Sequence, residues 1–242
     1  IPEGLFVSLH NTQFHPLIVK CNASPIVERQ RMQKYGFFVL LGALCALLFA
    51  APFVREFSPS ATPTISRAMI ASLFVAMLVS AMFAVGKSPL TNRIALLLGP
   101  LVLFEFLQIV FRDAAVDVPA NLLGIAFLGY VVFVIVRFLF ETQFVTANTI
   151  CAAVCVYLLL GVLGALVLST VDTIQPGSFT ASATGNSHAI RFGGAESSDA
   201  LYFSFVTLTT LGFGDIAPRS PPAKMLVTME AVVGQLFLAV LV

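Results

Sequence analysis

At 242 residues, 58% hydrophobic and 10% charged, the chain departs far from the roughly 45–50% apolar and 25% charged make-up of a soluble domain. Its 13 Lys and Arg with 12 Asp and Glu cannot coat a water-facing surface, so most of the exterior must face lipid. A net charge of +1, with no basic run longer than the Arg29, Arg31 and Lys34 cluster, excludes nucleic acid and acidic partners.

A bilayer-crossing helix needs about 20 mostly apolar residues, and six such runs follow one another. Residues 1–36 form a basic N-terminal segment, and the first span runs from Phe37 to Val54. The second covers Ala68 to Gly86, the third Ile94 to Phe111 with Glu105 inside it, and the fourth Val118 to Val136. The fifth lies between Glu141 and Asp172, and the sixth runs from Met225 to Val242 with Glu230 inside it. Residues 37–140 read as a four-helix unit and 141–242 as a second unit.

Lys and Arg are retained in cytoplasmic loops. Lys20, Arg29, Arg31 and Lys34 precede the first span and Lys87 and Arg93 follow the second, which places both termini in the cytoplasm of a plasma or inner membrane. A basic segment ahead of a full-length span does not support a signal peptide, and the Asn22-Ala23-Ser24 sequon would then be idle. Cys21 precedes the first span, whereas Cys45, Cys151 and Cys155 sit in apolar runs and read as packing residues without a disulfide or metal role. The chain begins without Met and stops inside an apolar run at Val242, so a longer protein is expected, with room for a regulatory domain after Val242.

The connection between the fifth and sixth spans divides in two. Asp172 to Ser197 is rich in Gly, Ser, Thr and Ala and reads as a flexible turret, with His188 as a solvated loop residue. Ser198 to Thr209, SDALYFSFVTLT, opens on residues suited to helix capping and is too short to cross, so it reads as a re-entrant helix. Then comes Thr209-Thr210-Leu211-Gly212-Phe213-Gly214-Asp215. Glycines at alternate positions permit left-handed dihedrals that other residues resist. Such alternation can turn successive carbonyls to a common axis, and a ring of them could replace the water shell of a cation.

Thr-Leu-Gly-Phe-Gly-Asp resembles the Thr-Val-Gly-Tyr-Gly-Asp signature of the potassium channel family, and the resemblance covers Ser198 to Val242. It implies an all-α membrane protein of six transmembrane helices, with a re-entrant pore helix and selectivity filter between the fifth and sixth. It implies a homotetramer in the bilayer, because one filter copy supplies only part of a ring. The implied potassium ligands are the carbonyls of Thr210, Leu211, Gly212 and Phe213 with the Thr210 hydroxyl, and Gly214 completes the filter. Thr209, Tyr202, Phe203, Asp215 and Glu230 would support it, Gly234 would be the inner-helix hinge, and Gln235, Leu238 and Val242 would line the cavity. No cofactor is implied beyond potassium as permeant ion, and no enzymatic activity.

Where many family members tie the filter aromatic to a pore-helix Trp, this chain has Phe213 and Phe203. An apolar contact between them is expected, together with a Tyr202 to Asp215 hydrogen bond, while Val206 replaces an acidic residue found in some relatives. The fourth span carries no Arg or Lys array, so steep voltage gating, which takes about 3–4 charges per subunit, is not expected; Arg137 reads as an edge anchor. Glu105 reads as a structural ion-pair partner, with Arg112 as candidate, or a neutral carboxyl. A poorly selective cation channel on the same scaffold is the alternative function. A transporter or membrane enzyme is a further reading, which no helix-borne cluster of ionisable residues supports. At about 100° per residue, Glu230 lies roughly 140° from Gln235. Two placements remain open for it: a brace behind the filter, held by Ser204, Thr207 or Thr228, and a carboxylate facing the cavity.

Overall fold

A computed structural model of the chain describes residues 36–49, 63–85, 99–103, 107, 114–142, 145–181 and 197–241. The elements are α1 (Gly36–Phe49), α2 (Pro63–Val85), α3 (Ala114–Glu141), α4 (Ala147–Ile174), β1 (Phe179–Ala181), α5 (Ser197–Leu208), β2 (Ile216–Pro218) and α6 (Pro221–Leu241); residues 99–103 are also helical.

Among the described residues, three helices are long and apolar enough to cross a membrane: Val116–Glu141, Ala147–Ile174 and Pro221–Val240. They stand where the fourth, fifth and sixth spans are expected. Gly36–Phe49 and Ala68–Ala84 are shorter apolar helices at the first and second positions. Most of the third expected span lies outside the described residues, as do Glu105 and Arg112.

Two helix ends carry local contacts. The fourth-span helix continues to Glu141, where Arg137 Nε meets Glu141 Oε1 at 2.7 Å one turn on, with both side chains well exposed. Such a pair supports the last turn but contributes little stability in solvent. Within the uncharged stretch between Glu141 and Asp172 the next helix starts at Ala147, where Thr146 caps it. The Thr149 amide donates to Thr146 Oγ1 at 3.3 Å and the Thr146 amide to Thr149 Oγ1 at 3.4 Å, a reciprocal box that satisfies free amides of the first turn.

The core is organised around α4, which packs against α3, α5 and α6. Its buried residues include Cys151, Cys155, Leu159, Val162, Ala165 and Leu166. Helix α1 joins there: the Cys155 thiol donates to the Phe37 carbonyl at 3.4 Å, and the rings of Phe37 and Phe138 lie 5.6 Å apart. Cys151 and Cys155 are thus packed interior residues.

The segment expected as a flexible turret, Asp172 to Ser197, carries regular structure at its start. Strand β1 pairs antiparallel with β2, Phe179 opposite Pro218 and Ala181 opposite Ile216. The pairing is anchored by Phe179, which is fully buried, and by Ser178, whose carbonyl accepts the Arg219 amide at 2.7 Å and whose hydroxyl accepts that of Ser220 at 3.0 Å. This short sheet is the departure from an all-helical architecture among the described residues. It closes the loop holding α5 and the segment after it, bringing residues 178–181 against 216–220.

Candidate functional site

Helix α5 has 12 residues, about 18 Å at 1.5 Å per residue, and packs between α4 and α6. Its C-terminus is closed by two bonds: the Leu211 amide donates to the Val206 carbonyl at 2.9 Å and the Thr210 amide to the Thr207 carbonyl at 2.9 Å. That pairing is a left-handed helix cap, whose cap residue ordinarily is glycine. Here it is Thr210, with φ 58°. Thr209 donates its hydroxyl back to the Phe205 carbonyl at 2.7 Å.

Beyond the cap, left-handed residues recur at every second position: Thr210 at 58°, Gly212 at 56° and Gly214 at 75°. Leu211 and Phe213 between them lie outside that region. The segment is irregular and exposed from Thr209 to Asp215 on the single subunit.

Asp215 ties the outer end of this segment to α5. The Tyr202 hydroxyl donates to Asp215 Oδ2 at 2.8 Å, and Asp215 Oδ1 accepts the Ile216 amide at 3.0 Å. The hydrogen bond to Asp215 holds the Tyr202 phenol above its ordinary pKa. The Tyr202 and Phe213 rings stack, 6.5 Å apart and 6° from parallel. Within the subunit, then, the ring beside Phe213 is Tyr202 and not the expected Phe203. Phe203 is buried and meets Phe179 edge-on at 5.5 Å. Adjacent helix residues point about 100° apart, so Tyr202 faces the 209–215 segment while Phe203 faces β1.

Behind α5, a junction of three helices forms. Ser204 Oγ hydrogen-bonds Glu230 Oε1 of α6 and lies 2.6 Å from the Gly161 carbonyl of α4. Of the three hydroxyls considered for Glu230, it is Ser204 that meets it. Two glycines of α4 make the space: a Cβ on Gly164 would strike the Glu230 carboxyl and come within 2.7 Å of Ser204 Oγ, and one on Gly161 would come within 2.6 Å of the Phe205 ring. One turn further along α6, a Cβ on Gly234 would overlap the Leu208 carbonyl oxygen and approach Leu208 Cδ1 to 3.0 Å. Tyr157 of α4 donates to the same carbonyl at 3.4 Å, and its ring lies 5.9 Å from that of Phe237.

Glu230 and Gly234 thus share the face of α6 turned toward its own subunit, whereas Gln235 and Leu238 are exposed. Gln235 Nε2 donates to Thr210 Oγ1 at 3.3 Å. Val242 and His188 lie outside the described residues. Tyr157, Gly161, Gly164 and Phe205 had no place in the sequence reading. The Gly161 and Gly164 pair in an apolar run was the available signal, since small residues in spans mark close helix contact. No group of three or more His, Cys, Asp or Glu able to hold a metal occurs among the described residues.

Three helices long and apolar enough to cross a membrane are those of an integral membrane protein, and comparison with known proteins bears on the segment that holds this junction. Residues 179–242 match the family model described as an ion channel. It is 42% identical over 66 residues to Two pore potassium channel c of Oryza sativa subsp. japonica, covering 27% of this chain and 13% of that one. It is 37% identical over 70 residues to Inward rectifier potassium channel Kirbac3.1 of Paramagnetospirillum magnetotacticum, covering 29% of this chain and 18% of that one. The chain spans less than a fifth of the length of either relative, and no solved structure matches it. The resemblance to the potassium channel family is borne out by these matches.

Proposed function

We propose that the chain is one subunit of a homotetrameric potassium-selective channel, conducting passively through a filter formed by Thr210, Leu211, Gly212, Phe213 and Gly214. The observation that carries this reading is the left-handed backbone at Thr210, Gly212 and Gly214, every second residue of the filter segment. That alternation can direct successive carbonyls of Thr210 to Phe213 to one side, where fourfold repetition would make oxygen rings able to replace a cation's hydration shell. Side-chain exposure supports the assembly. Leu211 and Phe213 are 58% and 64% exposed on the lone subunit, which neighbouring copies would relieve.

In this arrangement α5 is a re-entrant pore helix, with Tyr202 and Asp215 steadying the outer mouth and Ser204 and Glu230 the back. Gln235, Leu238 and Val242 line the cavity, six helices cross the bilayer, and both termini are cytoplasmic. Residues 37–140 then form the peripheral unit and 141–242 the pore unit. The fourth helix carries a single Arg near its end, Arg137, already paired with Glu141, so opening is not steeply voltage-dependent.

Reconstitution into bilayers under opposed potassium and sodium gradients tests the reading. The reversal potential is expected to lie near that of potassium, with open probability changing little with voltage. Equal permeability would reject potassium selectivity in favour of a poorly selective cation channel. A steep activation curve abolished by Arg137→Gln would reject the gating half.

A further inference from the structure

Thr210 is a threonine where the backbone asks for glycine. At φ 58° a β-branched residue is strained, and such strain persists only where the surroundings hold it. The two bonds of the α5 cap hold its backbone. Its side chain is held from a different helix: Gln235 Nε2 of α6 donates to Thr210 Oγ1 at 3.3 Å.

The height of that amide is fixed by its neighbours. Gly234, the residue before it, sits against the Leu208 carbonyl without room for a Cβ, and Tyr157 of α4 donates to the same carbonyl at 3.4 Å. The inner helix therefore cannot slide past the end of the pore helix without drawing Gln235 away from Thr210. A threonine oxygen has one proton and two lone pairs. An N–H from Gln235 occupies one lone pair, so it restricts how the hydroxyl can turn and leaves one lone pair to face the ion path.

We propose that Gln235 is a positioning residue for the innermost cation site: its amide holds Thr210 in the left-handed conformation and aims the remaining hydroxyl lone pair at a dehydrated monovalent cation. The inference rests on the potassium-channel reading, and it makes the inner helix a determinant of selectivity through Thr210 rather than a mere cavity wall.

The test compares wild type, Gln235→Met, Thr210→Ala and the double variant as full chains in bilayers. Two quantities are read: the potassium to sodium permeability ratio, and block by internal barium, a dication close to potassium in size. Gln235→Met keeps length and loses the donor; both quantities are expected to fall by roughly two- to tenfold, the range of one net hydrogen bond. In the Thr210→Ala background the same change is expected to have no further effect, since the two residues act as one unit. Unchanged permeability ratio and block in Gln235→Met would overturn the proposal, and so would an effect of equal size with and without the Thr210 hydroxyl. Gln235→Leu carries the same comparison where the methionine variant does not assemble. A wild-type channel passing sodium and potassium equally would instead count against the potassium reading, while the barium cycle still decides whether Gln235 acts through Thr210.

Discussion

Gly234 of α6 rests against the backbone carbonyl of Leu208, the last residue of α5, with no space for a side chain between them. The helix passes through this position unbroken, from Pro221 to Leu241. A glycine expected as a hinge thus has a steric reason to be glycine that is independent of bending.

Gly234→Ala forces either the pore helix or the inner helix to shift, at a cost of about 1–3 kcal/mol for overpacking, and should weaken the assembled channel to thermal denaturation. Because the obstacle is main chain, Leu208→Ala should not rescue it. Moving the glycine one place, as Val233→Gly with Gly234→Ala, restores flexibility but not the notch. Recovery of normal gating in that double variant would show that bending, not contact, is what Gly234 supplies.

Tyr202 joins the end of the 209–215 segment to α5 in two ways, by its hydroxyl to Asp215 and by its ring against Phe213. Tyr202→Phe removes the first and keeps the second. The hydrogen bond is solvent-exposed, so the loss should be no more than about 1 kcal/mol, or roughly a fivefold shortening of single-channel bursts. Tyr202→Leu removes both and should shorten bursts further, with unit conductance little changed in either. Burst lengths of Tyr202→Phe equal to wild type would remove the hydroxyl from the account.

Much of this was legible because the signals are local. Apolar runs bounded by charge mark the spans around α3, α4 and α6, and alternate glycines mark the segment whose dihedrals alternate. What escaped depends on contacts distant in sequence. A three-residue strand such as Phe179–Ala181 has no periodicity to read, and its partner at Ile216–Pro218 is set by the closed loop. The partner of Phe203 within the subunit could not be read from the sequence, because it is Phe179, which is distant in the chain and has no periodicity to place it. Thr210 escaped differently: propensity argues against a left-handed threonine, and the cap geometry of α5 overrides it.

Glu230 allows the sharpest separation of roles. Ser204 has one proton but approaches two acceptors, the Glu230 carboxyl and the Gly161 carbonyl. A carboxyl that brings its own proton completes the set, donating to Ser204 while Ser204 donates to Gly161. The second carboxyl oxygen, Oε2, is buried, which an ionised group would tolerate poorly. On this account Glu230 clasps α4, α5 and α6 together as a neutral donor. Glu230→Gln keeps a donor of the same length and is expected to be mild. Glu230→Leu loses it and should shorten open times or weaken the tetramer at unchanged unit conductance. Gly164→Ala, whose Cβ would occupy the position of the carboxyl, should behave like Glu230→Leu. A carboxylate acting on the permeating ion predicts the opposite pattern, with Gln and Leu lowering unit conductance alike and Gly164→Ala leaving it untouched. Single-channel recording of the three variants decides between them, and equal conductance loss in the first two would discard the clasp.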